Sequence, residues 1–181
     1  TVVVNSLNKV IKGLVLRSVE YDWAKKFYWG EFSEKDLVGM RVKGLRRKGK
    51  VIVIDLEKSE RAKELKSKSM SIVIHLKLTG QLIYQDGQTR VGGGHPIPPL
   101  NSPVPNSTTR VTFEFANGGH LYFNDMRKFG WVKVAKSDDE SITNAIGKTA
   151  LGPDPMMMKF EEFRDRLKKK PQARIKKLLM D

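Results

Sequence analysis

Apolar residues recur with helical spacing only near the two ends of this chain, and in short strand-like runs between them. At the start, Val3, Leu7 and Val10 share one face at helical spacing, and Gly13 is placed to cap the end of that helix. This pattern predicts a short amphipathic helix over residues 2–11. Because no capping residue precedes the apolar pattern, we expect the natural start of this region to lie before Thr1.

Runs rich in β-branched and aromatic residues predict strands through the middle of the chain. The predicted strands are residues 14–21, 41–45, 51–56, 71–78, 110–115, 120–124 and 131–135. The turn residues Asn117, Gly118 and Gly119 between two of these runs indicate a hairpin. No helix of useful length is predicted between the strands, so parallel βαβ units are not expected. The natural packing is an antiparallel sandwich or barrel, in a mainly β fold with flanking helices.

Two stretches in the middle of the chain predict loops. Residues 87–107 contain three consecutive glycines and five prolines, which is typical of a long irregular loop. The default interpretation is a tolerated surface insertion, and the alternatives are a disordered segment and a segment that folds over a ligand. The charged stretch 57–68 predicts a solvated loop or turn.

Residues 151–181 differ from the rest of the chain in their pattern of apolar and charged positions. Their spacing predicts a basic helix over residues 159–169, which Pro171 ends, and a second helix that begins at residue 173 and continues to the end. We therefore expect a β domain over residues 1–150, followed by a linker and the beginning of a helical module over residues 151–181.

Charge changes this picture from a generic β domain to one with a polyanionic partner. The net charge is +14, from 34 Lys and Arg against 20 Asp and Glu. Nucleic acid is the leading interpretation, although charge alone also fits a solubility effect or binding to anionic lipid. With no cysteine, disulfides and thiolate zinc sites are excluded, which favours the cytoplasm. We find no basic leader and no apolar run of about 20 residues, and we expect no membrane association.

Common catalytic motifs are missing from the sequence. The three histidines, His75, His95 and His120, lack carboxylates at ligand spacing, so no metal site is expected. There is neither a Gly-x-Ser-x-Gly elbow nor a phosphate-binding Walker loop. The usual hydrolases and nucleotide enzymes are therefore not supported.

The first of three candidate segments is basic, and the second ends a buried strand. Residues 46–50, Arg-Arg-Lys-Gly-Lys, precede an apolar strand and suit a phosphate or sugar contact, or form an ordinary charged hairpin. The second segment, residues 75–80, lies at the end of a buried strand, where a lone histidine such as His75 is more often a core residue than a functional one. Leu78, before a Thr-Gly turn, is placed to project outward as a wedge. Spacing alone does not decide between these interpretations.

The third candidate segment, residues 124–130, links two strands and places two cations beside an aromatic ring. Arg127 and Lys128 can anchor phosphates, and a ring or guanidinium can replace stacking that a displaced base has lost. The alternative is an asparagine-aspartate turn with Phe129 folded into the core.

In this order, the segments resemble the formamidopyrimidine-DNA glycosylase and endonuclease VIII family of base-excision-repair enzymes, and more closely its formamidopyrimidine branch. The shared motifs are Arg-Arg-x-Gly-Lys at 46–50, His-Leu-x-x-Thr-Gly at 75–80, Thr-Arg-Val-x-Phe-x-Phe at 109–115, Asn-Asp-x-Arg-x-Phe-Gly at 124–130 and Leu-Gly-Pro-x-Pro at 151–155. The resemblance covers nearly the whole chain. It implies a two-sheet antiparallel β-sandwich followed by a helix–two-turn–helix module.

The resemblance also implies an activity, which is excision of oxidised purines from duplex DNA by base flipping, with abasic-site lyase activity. By motif position, Leu78, Arg127 and Phe129 fill the gap left by the flipped base, and Leu78 stands where that branch commonly has methionine. Lys50 matches a lysine near the flipped nucleotide and is the catalytic candidate in this chain. The expected DNA-binding residues are Arg47, Lys50, His75, Leu78, Arg110, Arg127, Lys128 and Phe129.

Other family features are expected outside these residues. The nucleophilic proline and the glutamate after it would precede Thr1, and the remaining helical module and a cysteine zinc finger would follow Asp181. We therefore expect no cofactor in this chain and no activity from it alone. Lys77 in place of a glycine, Met126 in place of a proline and the length of the 87–107 loop bear on lesion preference.

The expected partner is double-stranded DNA containing damaged bases, bound by a monomer in the cytoplasm that associates with the nucleoid when on DNA. Three other functions stay open. One is a non-catalytic relative that recognises damaged or bent DNA. The second is an enzyme that uses Thr1 as an N-terminal nucleophile, and the third is a basic domain for ribosomal RNA.

Overall fold

The computed structural model of this chain describes residues 2–59, 69–147, 158–169, 171–172 and 174–175. The chain divides into two compact units, Thr1–Gly147 and Lys148–Asp181. The strands described belong to the first unit. The motif at 151–155 and almost all of the second helix predicted from residue 173 lie outside the described residues.

Ten strands are described, and they form two five-stranded sheets. They are β1 Leu16–Tyr21, β2 Phe27–Tyr28, β3 Met40–Lys48, β4 Val51–Lys58, β5 Met70–His75, β6 Gly80–Gln85, β7 Arg90–Gly94, β8 Thr109–Phe115, β9 His120–Asp125 and β10 Trp131–Lys136. Sheet I has the order β1-β8-β9-β6-β7, and sheet II the order β2-β10-β5-β4-β3. Neighbouring strands are antiparallel except for the short parallel pair β2–β10. The predicted mainly β, two-sheet antiparallel sandwich is confirmed.

The described helices are α1 Val2–Ile11, a 3₁₀ turn at Ala24–Lys26, α2 Glu34–Leu37, α3 Asp139–Ile146 and α4 Phe160–Lys168. All but the last of the named helices belong to the first unit. The helices predicted over residues 2–11 and 159–169 are confirmed as α1 and α4, whereas α3 was not predicted. Its start is marked by Asp138, whose side chain accepts a hydrogen bond from the Ser141 backbone N–H at 2.7 Å. No helix in the described part of the chain is long and apolar enough to cross a membrane.

The core lies between the two sheets and is closed on one side by α1. Strand β5 has three consecutive apolar residues, Ile72 to Ile74, because both of its faces are buried. Ile72 and Ile74 pack in the main core with residues of both sheets, whereas Val73 faces outward beneath Ile142 of α3. The sandwich is therefore covered by a helix on the outer face of sheet II.

Part of the loop predicted over residues 87–107 is in fact a strand, and this prediction was wrong for Arg90–Gly94. Strand β7 pairs with β6, and neither strand was predicted. The glycines at positions 92–94 have no side chains and so give no strand pattern, but neighbouring atoms leave little room for a Cβ atom there. A Cβ atom at Gly93 would lie 2.5 Å from a Val3 methyl carbon, so glycine lets α1 approach this strand closely.

Two predicted boundaries also differ from the structure. The strand predicted over residues 71–78 ends at His75 and continues as a turn. Glu57 and Lys58, predicted to begin a solvated loop, extend β4, and Ser59 after them is buried. The rest of that predicted loop, residues 60–68, lies outside the described part of the chain.

Candidate nucleic-acid interface

Two turns cross between the sheets at the same edge of the sandwich. The first crossing turn, residues 76–79, leads from β5 in sheet II to β6 in sheet I, and the second crossing turn, residues 126–130, leads from β9 in sheet I to β10 in sheet II. Their ends are partners in the sheets, since Gly80 pairs with Asp125 and His75 pairs with Trp131. The two turns therefore lie side by side.

The carboxylate of Asp125 joins the two crossing turns. Asp125 is completely buried, and its Oδ1 accepts a hydrogen bond from the Thr79 hydroxyl at 2.5 Å. Its Oδ2 accepts from the Gly130 backbone N–H at 2.7 Å. The Arg127 backbone N–H lies 3.3 Å from both the Thr79 hydroxyl and Asp125 Oδ1. Such partners compensate the cost of burying a charge, and they fix each turn relative to the other.

Above this anchor, the crossing turns expose apolar side chains. Leu78 is 68% exposed and Phe129 is 51% exposed, and Met126, the first residue of the second crossing turn, is also exposed. The Arg127 guanidinium lies over the Phe129 ring, 4.9 Å from its centroid, which is a cation–π arrangement. The interpretation that Phe129 folds into the core is therefore wrong. We call Leu78, Arg127 and Phe129 the tip residues.

Each crossing turn also carries a lysine, Lys77 in the first and Lys128 in the second. Lys77 and Lys128 both have left-handed backbones, with φ of 52° and 59°. Such a conformation is uncommon for a residue with a Cβ, and each lysine reverses the chain at its turn. Lys128 is exposed, and this fits its predicted role as a cation at the surface.

His75 and Lys50 form a second group of predicted residues. Lys50 is exposed in the tight turn between β3 and β4, and β4 pairs with the strand that ends at His75. Burial, together with the charges of Lys77 and Lys50, lowers the pKa of His75 from 6.5 to about 4. The imidazole ring is therefore neutral at physiological pH.

The hydrogen bonding of His75 defines which ring nitrogen carries the proton. Nδ1 accepts a hydrogen bond from the Lys77 backbone N–H at 2.9 Å, so the proton of the neutral ring is on Nε2. The ring also packs against Trp131, with 5.5 Å between centroids. His75 is thus held as a hydrogen-bond donor at the end of its strand.

Arg47 and Arg110 occupy supporting positions. Arg47 is half-buried, and its guanidinium donates to the Gly49 carbonyl at 2.9 Å, which holds the turn that carries Lys50. Arg110 is only 7% exposed and donates to the backbone carbonyls of Asp125 and Ser107. It also forms an ion pair with Asp22 at 2.9 Å. Arg110 lies behind the second crossing turn and supports it from inside the fold.

The sequence interpretation named the tip residues but missed the residues that hold them. Asp125 was considered only as part of a turn, and Thr79 only as a residue after Leu78. Their link depends on the pairing of β6 with β9, which no local pattern shows. The one available signal was an acidic residue inside a basic segment of a strongly basic chain.

Comparisons with known proteins agree with the fold and the motifs. Residues 1–132 match the family model of the formamidopyrimidine-DNA glycosylase N-terminal domain. Among curated proteins, the chain is similar to the formamidopyrimidine-DNA glycosylases of Desulforamulus reducens (30% identical over 183 residues, 99% of this chain and 57% of that protein) and Deinococcus radiodurans (33% identical over 124 residues, 68% and 36%). The chain spans about half the length of the first of these relatives.

Solved structures show the same fold. One is Lactococcus lactis Fpg in complex with DNA containing an abasic site, with a TM-score of 0.65 and 22% identity over 92% of this chain and 54% of that chain. Another is a mutant of the same protein with DNA containing Fapy-dG, with a TM-score of 0.67 and 21% identity over 94% and 53%. At these identities the structural likeness establishes the fold, and the family model covers more than half of the chain. This chain belongs to the formamidopyrimidine-DNA glycosylase family.

Proposed function

We propose that this chain belongs to a base-excision-repair DNA glycosylase with abasic-site lyase activity. In that enzyme it opens duplex DNA at an oxidised purine. The observation that carries the proposal is the set of exposed tip residues on two crossing turns that Asp125 joins. Flipping a base costs a few kcal/mol of unstacking, and less at a damaged pair. Stacking against an inserted aromatic side chain restores about 1–3 kcal/mol per base.

The tip residues suit this role because Asp125 joins the turns that carry them and because two of them already pack together. Arg127 lies over Phe129 before any ligand is bound, so little side-chain freedom is lost on insertion. Leu78 provides an apolar wedge from the neighbouring turn. Apolar wedges of this kind enter between base steps from the minor groove.

Lys50 and His75 are proposed to act on the flipped nucleotide and its flanking phosphates. The exposed ammonium of Lys50 supplies a charge near the sugar, and His75 offers its Nε2–H to a phosphate oxygen as a neutral donor. Lys128 adds a phosphate contact at the tip of the second turn. The structures of the Lactococcus lactis protein with abasic-site and Fapy-dG DNA support this choice of substrate.

Equilibrium binding tests the proposal directly. The protein is titrated against a duplex with one abasic-site analogue, an undamaged duplex of equal length and a structured RNA of equal length. We expect preference for the damaged duplex and a loss of about three to five decades in affinity between about 50 and 200 mM salt, if roughly 6 to 10 phosphates are contacted. Affinity that is flat with salt, or a preference for the RNA, contradicts the proposal.

Point variants distinguish insertion of the tip residues into the duplex from general attraction between the basic protein and DNA. Phe129→Ala and Arg127→Ala are expected to reduce the preference for the damaged duplex, whereas Val38→Ala, which removes another exposed apolar side chain, leaves it unchanged. If Phe129→Ala and Val38→Ala behave alike, the tip residues do not fill the gap.

Covalent trapping tests the lyase activity. With borohydride and duplex DNA containing an oxidised guanine, the full-length protein is expected to give a covalent adduct, because an amine nucleophile forms a Schiff base with the opened sugar. Binding without any adduct would identify a non-catalytic relative that recognises damaged DNA.

A further inference from the structure

The segment that follows β7 is held in place by hydrogen bonds from two side chains to its backbone carbonyls. Gln81 is completely buried, and its Nε2 donates hydrogen bonds of 2.6 Å to the backbone carbonyls of both His95 and Pro98. Further along, the Arg90 guanidinium donates to the carbonyls of Leu100, at 2.8 Å, and Ser102. A buried amide whose N–H groups lacked acceptors would cost free energy. Because the Gln81 amide instead donates to two loop carbonyls, it holds residues 95–98 in place. We call these residues the Ile97 loop.

The Ile97 loop begins beside the first crossing turn. The His95 backbone N–H donates to the Gly80 carbonyl at 3.1 Å, and Gly80 directly follows that turn. The close approach requires Gly94, which has φ of +126° and whose Cβ, if present, would lie 2.3 Å from the same carbonyl oxygen. The loop therefore leaves sheet I at the end from which Leu78 projects.

The chemistry of the Ile97 loop differs from that of the surface around it. Residues 95–100 carry no lysine, arginine or carboxylate, in a chain of net charge +14. Ile97 is 59% exposed, although its backbone is fixed by a hydrogen bond from its N–H to His95 Nδ1 at 3.1 Å. An exposed apolar side chain on a fixed backbone makes no favourable contact with a phosphate. It fits the deoxyribose rings and base edges that line the minor groove.

We infer that Ile97 is a further DNA contact, which packs against sugars and base edges in the minor groove next to the base pair that the tip residues open. This inference rests on the proposed function, because Ile97 reaches the minor groove only if the tip residues at the same edge of the sandwich enter the DNA. Gln81 acts as a positioning residue, since it holds the loop and does not itself reach the DNA.

Binding of the abasic-site duplex over a series of salt concentrations tests this contact. Ile97→Ala is expected to weaken binding by roughly 15- to 60-fold, because the burial of two or three methylene-sized groups against DNA is lost. Because no phosphate contact is lost, the slope of log affinity against log salt is expected to equal that of the wild type. Val38→Ala is the matched control and is expected to bind as the wild type does.

A second variant tests the support. Gln81→Met is expected to weaken binding as Ile97→Ala does, and the double variant no further than either single one, because both act through the same contact. Wild-type affinity in Ile97→Ala, or a changed salt slope, overturns the inference. These outcomes are distinct from failure of the proposed function, in which the wild type itself shows no salt-dependent preference for damaged DNA.

Discussion

At the scale of single residues, burial and nearby positive charge keep the His75 ring neutral. The ring is half-buried near two lysines, so protonation is disfavoured by desolvation first and by Lys77 and Lys50 next. An unperturbed histidine would change its charge near pH 6.5 and make the proposed phosphate contact sensitive to pH. Here the neutral donor form persists through the physiological range.

The pKa of His75 can be measured by NMR. We expect the ring resonances to be unchanged from pH 8 to about 5, with a midpoint of about 4, whereas in denaturant the same ring titrates near 6.5. Lys77→Met is expected to raise the pKa because it removes a nearby charge, and Lys9→Met serves as the control. A midpoint near 6.5 in the folded protein would contradict the environment described for this ring.

The same shift has a consequence for stability. Because the pKa is lower in the folded state than in the unfolded state, the unfolded chain binds the proton first as pH falls. The contribution of His75 to stability is therefore complete above about pH 6.5 and decreases as pH falls towards 4.

At the scale of elements, the buried carboxylate of Asp125 joins the two crossing turns. Asp125→Asn keeps the volume of the side chain but replaces one acceptor oxygen by a donor. One of the donors from Thr79 and Gly130 then loses its partner, at a cost of roughly 1–3 kcal/mol.

Urea unfolding measures this effect. Asp125→Asn is expected to lower the free energy of unfolding by that amount and also to reduce the preference for damaged DNA, because the tip residues lose their fixed base. Asp86→Asn, at the tip of the β6–β7 hairpin, changes a carboxylate remote from the crossing turns and is expected to leave the DNA preference intact. Equal loss of DNA preference in both variants would exclude a specific role for Asp125.

The contact between α1 and β7 provides a second test at this scale. In Gly93→Ala the new Cβ would overlap a Val3 methyl group, and overpacking of this kind typically costs about 1–3 kcal/mol. Adding Val3→Ala removes the overlapping methyl groups and is expected to restore part of the stability. Gly87→Ala is the control, since a Cβ there meets nothing within 4 Å. The packing account fails if Val3→Ala destabilises Gly93→Ala further.

Sequence patterns predicted the elements whose local signal is strong, and they failed where long-range packing decides. The helix α1 and strands such as β5 and β8 follow from their apolar spacing. Strand β7 was missed because glycine has no side chain to give a pattern, although its packing against α1 explains the glycines. At the site, motif resemblance named the tip residues, but their burial or exposure and their link through Asp125 depend on pairing between distant strands.

At the scale of the whole molecule, the excess of positive charge acts on folding and on binding in opposite directions. A net charge of +14 favours contact with a polyanion but repels itself within the compact fold. Added salt screens both effects.

Thermal unfolding with and without DNA separates the two. In the free protein, we expect the Tm to rise by a few degrees as salt is raised towards about 200 mM, because self-repulsion is screened. Damaged duplex at about 100 times its low-salt Kd is expected to stabilise the fold by roughly 2.7 kcal/mol, and this gain disappears as salt weakens binding. A gain from DNA that is independent of salt would contradict phosphate contacts as its source.

The separation between the Asp125 anchor and the exposed tip residues has a consequence for how this protein can evolve. Side chains at the tips contribute little to the core, so they can be exchanged with little loss of stability. The leucine at position 78 and the lysine at position 128 are examples of positions open to such change, whereas Asp125 and Thr79 are constrained by each other. Under the proposed function, natural selection can therefore adjust lesion recognition through these side chains without rebuilding the sandwich that carries them.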